Sequence, residues 1–140
     1  LNARERLPFF VYGTLTPRER NWHMLQDVFE RYCTAIASGW QLWHLREGNY
    51  PAIVPGGQDV EGLLVWVREE HWDATLLALD YLEDFDATNP ADSLYSRQQT
   101  EVTRSTGERV RAWVYIWNPA KQALLEQKGE LFEDSRWRSR

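Results

Sequence analysis

The chain has 140 residues, which suits one domain, expected to span 1–140 with a core at about 7–118 and a C-terminal extension at 119–140. Hydrophobic residues make up 43%, aromatics 14%, with eight Trp, so the chain can bury a core and intrinsic disorder is excluded. The formal net charge is −5 and no basic stripe runs through the sequence, which argues against nucleic acid as a partner.

Leu7 to Tyr12 is short, apolar and aromatic, as a buried strand would be. Gly13 and Thr14 turn the chain, and Pro17 fits a first helical turn. From Arg18 to Arg31, Trp22, Leu25, Val28 and Phe29 recur at spacings of three, three and one, which predicts a helix. Ala35 to Leu45 alternates as a strand. Tyr50 to Gly57 reads as a loop, a short strand and a turn, because Pro and Gly punctuate it. Val60 to Val67 follows as a strand, with Gly62 marking a bulge or a close approach. Glu70 to Glu83 is a helix. Thr88 to Ser93 is loop, and Tyr95 to Arg104 with Val110 to Trp117 form a hairpin across Ser105–Glu108. A short helix fits Ala120 to Gln127. This order predicts an α+β fold: a mixed sheet, able to curl into a barrel, with helices packed outside.

Cys33 is the sole cysteine, so no intramolecular disulfide forms, in keeping with a reducing compartment such as the cytoplasm. Cys33 reads as a small packed residue rather than a nucleophile. His23, His44 and His71 are too scattered for metal-ligand spacing, so no metal is expected. No apolar run reaches the length of a membrane span, and no signal-peptide pattern opens the sequence.

One residue does not fit its helix. At 100° per residue, Trp72, Leu76, Leu79 and Glu83 fall on one stripe, at i, i+4, i+7 and i+11. Three are core residues and the fourth is a carboxylate, while Asp73, Asp80 and Asp84 fall to one side and can reach water. Burial and the negative helix end both oppose the charge on Glu83, so its pKa should rise into the range useful for proton transfer. Two other readings stay open: Glu83 frays into water, or it pairs with Arg97 or Arg46. The loop Tyr12-Gly13-Thr14-Leu15 joins a buried strand to a turn where backbone N–H groups can converge on an anion, and Gly13 lets the backbone approach a ligand.

These features occur among further motifs. Phe10-Val11-Tyr12-Gly13-Thr14-Leu15, Tyr50-Pro51-Ala52-Ile53, Val60-Glu61-Gly62, Leu79-Asp80-Tyr81-Leu82-Glu83, Tyr95-Ser96-Arg97 and Ala112-Trp113-Val114-Tyr115 together resemble the γ-glutamylcyclotransferase-like (AIG2-like) family, from Phe10 to about Trp117. The resemblance implies a small mixed barrel with flanking helices and an enzyme that cyclises a γ-glutamyl group to 5-oxoproline, releasing an amine or amino acid. It implies Glu83 as acid/base and a small-molecule substrate held by Tyr12, Gly13, Thr14, Leu15, Tyr50, Tyr95, Arg97 and Tyr115, with no metal or cofactor. Arg97 suits a substrate carboxylate or a structural pairing with Asp80 or Glu83, and Tyr115 suits pocket or core. The sequence departs from many relatives where Asp84, not Gly, follows the glutamate, and where Thr16-Pro17-Arg18 follows the loop. Ser135-Arg136-Trp137 is loosely similar to a tail motif of some relatives. A non-catalytic member, keeping the fold to bind a small molecule or a protein, is the alternative function, and a different lyase or hydrolase using the same glutamate is a third.

Overall fold

The computed structural model describes residues 6–139. Its six strands are β1 (Phe9–Val11), β2 (Phe29–Leu45), β3 (Tyr50–Val67), β4 (Tyr95–Arg104), β5 (Arg109–Trp117) and β6 (Gly129–Leu131). Its helices are α1 (His23–Gln26), α2 (Glu69–Leu82) and α3 (Gln122–Lys128). The sheet order is β3-β1-β5-β4-β2-β6, and β2 also pairs with β3, so five strands close into a barrel and β6 is added at β2. β1 is antiparallel to β3 and parallel to β5; the remaining pairings are antiparallel. Closure removes the sheet edges that an open sheet of this kind would leave unpaired.

Alternation along the strands explains why the apolar runs are so dense. Phe9 and Val11 enter one core, with Trp113, Tyr115 and Trp117, and α2 packs there through Trp72, Leu76 and Leu79. Phe10 and Tyr12 enter a second core, with Ala112, Val114 and Ile116. Both faces of β1 and β5 are therefore buried, as the continuous apolar runs require. Each large side chain buried this way contributes about 1.5–3 kcal/mol. Gly62 is a close approach: a Cβ there would run into the Val11 carbonyl and the Phe10 ring.

Two sequence expectations fail. The helix expected over 18–31 shrinks to α1, four residues long. Arg18 takes a left-handed φ of 74°, which breaks any helix starting at Pro17, and Phe29 already pairs with Val67 as the first residue of β2. The loop, strand and turn expected over 50–57 are instead the first half of β3, an uninterrupted 18-residue strand. Pro55 is accommodated because the β2–β3 ladder slips at Trp40, which faces both Pro55 and Gln58, a bulge where a missing N–H costs little; Pro51 pairs in regular register with His44. Cys33 is half-buried.

The tail docks onto the second core. Trp137 is 3% exposed, and its indole N–H donates to His44 Nδ1 at 3.0 Å. Ser135 receives the Glu61 backbone N–H at 2.7 Å and returns a hydroxyl bond to the Glu61 carboxylate. Among the described residues, no helix is long and apolar enough to cross a membrane.

Candidate functional site

The site forms where β1 ends, β3 begins and α2 stops. A cavity of about 290 Å³ lies between the 12–15 loop on one side and Glu83 on the other. Tyr12, Gly13, Thr14, Leu15, Tyr50, Tyr95 and Tyr115 all line it with Glu83, so eight of the nine residues singled out by sequence converge on one space. Arg97 is not among the lining residues. At the lower bound of ligand pockets, near 300 Å³, the cavity suits a small acyl group rather than a large ligand.

The loop is fixed from below. Gly13 packs so closely on the Pro51 ring that a Cβ would overlap it. Thr16 donates from N–H (3.0 Å) and hydroxyl (2.7 Å) to the Gly13 carbonyl. Asn21 donates its side-chain amide to Thr14 Oγ1 at 2.9 Å and its backbone N–H to the Thr14 carbonyl at 2.8 Å. The loop carbonyls of Gly13 and Thr14 are thus satisfied. The N–H groups of Gly13, Thr14 and Leu15, by contrast, make no hydrogen bond among the described residues. Unpaired N–H groups along a cavity are available to an anionic or carbonyl oxygen.

Glu83 ends α2. Its N–H bonds to the Leu79 carbonyl, the Asp84 N–H to Tyr81 and the Phe85 N–H to Asp80, a reversed turn with Asp84 in the left-handed region at φ 54°. Leu94 N–H then bonds to the Asp84 carbonyl, and buried Asn118 bonds to Leu94 and Ser93, anchoring the loop beyond the helix to the end of β5. The Glu83 carboxylate makes no hydrogen bond and no ion pair among the described residues. Although the residue as a whole is half-buried, desolvation pushes its carboxyl up to about 7.

The pairing of Glu83 with Arg97 or Arg46, one of the readings left open by the sequence, is not made among the described residues: Arg46 lies 3.8 Å from Glu130, and Arg97 pairs with Asp80. Of the two roles the sequence left to Arg97, the structure shows the structural pairing with Asp80. Arg97 Nε and Nη2 donate to Asp80 Oδ1 (2.8 Å) and Oδ2 (3.2 Å), and the Tyr115 hydroxyl donates to Oδ1 at 2.6 Å. Asp80 meets the Arg97 side chain from β4 and the Tyr115 side chain from β5, and the Arg97 guanidinium lies over the Trp113 ring, 4.8 Å from its centroid.

The three buried phenols around the cavity are neutral donors. Tyr12 donates to the Tyr115 carbonyl (2.7 Å) and Tyr95 to the Pro51 carbonyl (2.6 Å). Burial raises the pKa of each, and the negative charges of Glu83 and, for Tyr115, Asp80 raise it further. Glu83 is therefore the group placed to exchange a proton near neutral pH. Sequence reasoning missed Pro51 as the loop's support, Asn21 as its clamp and Arg20, which lines the cavity while donating to the Gly48 and Asn49 carbonyls. The pairing of Pro51 with Gly13 was hinted at by a glycine beside an aromatic strand; Asn21 carried no signal. Among the described residues, no group of three or more His, Cys, Asp or Glu is placed to hold a metal ion.

A barrel flanked by helices, with an unpartnered glutamate opposite a loop of open N–H groups, defines a class that comparison with known proteins names. The family model "Gamma-glutamyl cyclotransferase, AIG2-like" matches residues 9–139, and the chain belongs to that family. It is 29% identical over 119 residues to AIG2-like protein C of Arabidopsis thaliana, covering 84% of this chain and 62% of that protein. It is 30% identical over 119 residues to the gamma-L-glutamyl-butirosin B gamma-glutamyl cyclotransferase of Niallia circulans, covering 84% of this chain and 72% of that one. The crystal structure of an AIG2-like protein from Mus musculus superposes with a TM-score of 0.69 at 25% identity, over 94% of this chain and 87% of that chain.

Proposed function

We propose that this chain cyclises a γ-glutamyl group to 5-oxoproline and releases an amine or amino acid, with Glu83 as the general acid/base. The observation that carries the reading is the Glu83 carboxyl: unpartnered, raised to about 7, and sharing one small cavity with the open N–H groups of the 12–15 loop.

In this reading the α-amino nitrogen of the glutamyl group, uncharged, attacks the side-chain carbonyl carbon of the same group. Glu83 as carboxylate takes a proton from that nitrogen as the C–N bond forms. It returns the proton to the amide nitrogen as the old C–N bond breaks, so it ends the cycle ionised. A group titrating near neutral pH serves both steps without a large cost in either direction. Attack within one molecule needs mainly a fixed geometry, which an enclosed pocket supplies. The N–H groups of Gly13, Thr14 and Leu15 would hold oxygens of the glutamyl unit, including the charge that develops on the attacked carbonyl. Tyr12, Tyr50, Tyr95 and Tyr115 would form the walls. Arg97, in contrast, serves as the partner of Asp80 rather than as a substrate ligand.

The test is to incubate the protein with γ-glutamylamines and γ-glutamyl amino acids and to quantify 5-oxoproline. Release from at least one member, absent without protein, is expected. No 5-oxoproline from any of them, with measurable binding, would instead favour the non-catalytic binding member of this fold.

A further inference from the structure

His44 is a buried titratable group that the cavity around Glu83 does not use, and its partner is the tail. His44 is 4% exposed and Trp137 3%, and their rings lie 29° from parallel with centroids 6.1 Å apart. An indole N–H can only donate, so His44 Nδ1, 3.0 Å away, accepts with its lone pair. The docked imidazole is therefore neutral, with its proton on Nε2. A proton added at Nδ1 would set N–H against N–H inside the core and abolish the bond.

That bond holds a strap running from Phe132 to Ser139. The Phe132 N–H donates to the Leu42 carbonyl at 2.9 Å, and the Glu61 N–H to the Ser135 carbonyl at 2.7 Å. Ser139 N–H reaches the Glu19 carboxylate at 3.4 Å. Arg136 and Trp137 wall a hollow of about 390 Å³ that is also lined by Tyr12, Thr16, Pro17 and Arg18. Thr16 to Arg18 is the turn that follows the 12–15 loop, and Tyr12 lines the Glu83 cavity as well. The strap therefore braces the loop from the side away from Glu83.

The charges around His44 are few and offset one another. Glu130 of β6 stands opposite His44 in register and favours its protonation, while Arg46, two residues along β2 and 3.8 Å from Glu130, opposes it. β3 places the uncharged Pro51 opposite. On the strap, Arg138 is ion-paired with Asp134 at 2.9 Å, and Glu133 and Arg136 are exposed. Docking excludes a proton from Nδ1, whereas release uncovers the imidazole to water, where such a ring gains its proton near pH ~6.5. The docked form binds fewer protons than the released one, so it loses ground as pH falls.

We propose that the Trp137–His44 hydrogen bond is a pH-sensitive latch: protonation of His44 frees the strap and unbraces the turn behind the 12–15 loop.

The experiment follows amide hydrogen exchange by NMR at pH 7.5 and pH 5.5, with each rate corrected for its intrinsic dependence on pH. The Glu61 N–H reports the strap because its acceptor is the Ser135 carbonyl, and the Asn21 N–H reports the turn because its acceptor is the Thr14 carbonyl. Protection of both in the unaltered protein should fall about tenfold at pH 5.5, the effect of losing one buried hydrogen bond, while amides of the β4–β5 hairpin keep theirs. His44→Asn sets a carbonyl oxygen near the place of Nδ1 that does not titrate, so its protection should be the same at both pH values. Equal protection at the two pH values in the unaltered protein, or the same fall in His44→Asn, overturns the latch. A fall at Glu61 without one at Asn21 overturns the link to the loop. If His44→Asn does not fold, Trp137→Phe decides, because it removes the donor: loss of the pH dependence upholds the latch, and its survival overturns it. No substrate enters the measurement, so the result stands apart from the acid/base role of Glu83.

Discussion

Asp80 and Glu83 lie three residues apart on the same face-turning end of α2, and their surroundings differ completely. Asp80 accepts three hydrogen bonds, two from Arg97 and one from Tyr115, and the ion pair is nearly closed to solvent, with side chains 16% and 6% exposed. Glu83 accepts none among the described residues and is desolvated without compensation. A carboxylate with three donors holds its charge and ties helix to barrel. A carboxylate with none trades its proton easily and stores a cost that the fold must offset elsewhere. The motif Leu79-Asp80-Tyr81-Leu82-Glu83 thus sets a paired carboxylate and an unpartnered one within one helical turn.

The largest effect expected from breaking this contrast is on turnover. Glu83→Gln keeps the shape of the side chain but cannot carry the proton, so 5-oxoproline release should fall by about 10²–10⁴-fold. Thermal unfolding should show no loss of stability, and a gain is expected, because Gln has no charge to desolvate. Undiminished turnover would exclude the acid/base role; a large loss of stability would make Glu83 structural. Asp80→Asn should show the reverse pattern. It removes the charge that neutralises a buried guanidinium, and stability should drop by about 3 kcal/mol in chemical denaturation. Turnover should fall less than with Glu83→Gln, through the displaced Tyr115 wall. Unchanged stability would mean that the ion pair holds nothing together.

A smaller effect follows from pH. The Glu83 carboxyl titrates at about 7 in the fold against an ordinary 4.5. Between those values the folded chain keeps a proton that the unfolded chain has lost. The stability contributed by protonated Glu83 is therefore full below about 4.5 and is lost as pH rises through 7. At about 1.4 kcal/mol per unit, the linkage reaches at most about 3.5 kcal/mol. Melting temperatures from pH 4.5 to 8 should fall more steeply for the unaltered protein than for Glu83→Gln. Parallel curves would show that burial does not perturb this carboxyl.

How much of this was legible depends on what kind of signal each part carries. The β4–β5 hairpin was readable because alternation and a Ser-Thr-Gly-Glu turn agree, and the strands observed are Tyr95–Arg104 and Arg109–Trp117. The exceptional position of Glu83 was readable because a helix converts spacing directly into direction, and the three residues before it on the stripe are all buried. The segment 18–31 was misread because its spacing of three fits a helix, while its aromatics serve a different purpose: Trp22, Phe29 and Tyr32 cluster with ring centroids 5.0–5.9 Å apart across a turn and a strand. Long-range pairing with Val67 overrode the local pattern. For a related reason the sequence left open whether Arg97 pairs with Asp80 or with Glu83. The angle of each acid on the helical wheel was readable, but what lies opposite that angle is set by β4 and β5, which no helical projection contains.

The smallest expected effect isolates the cause of the Glu83 shift. Asp84→Gly relieves the left-handed backbone at φ 54° and removes an acid from the negative end of α2. Glycine also gives the unfolded chain more freedom, which offsets part of the gain, so the net stabilisation should be small, below about 1 kcal/mol. Its value lies in the pH profile. Burial is what shifts Glu83, even though Asp84 is adjacent in sequence. Removing Asp84 should accordingly leave the inflection of kcat/KM near pH 7 in place. A marked fall in that inflection would show that charge repulsion between the two acids, rather than desolvation, holds Glu83 near neutrality. The contrast with Asp80 would then rest on unequal charge environments rather than on unequal access to hydrogen-bond donors.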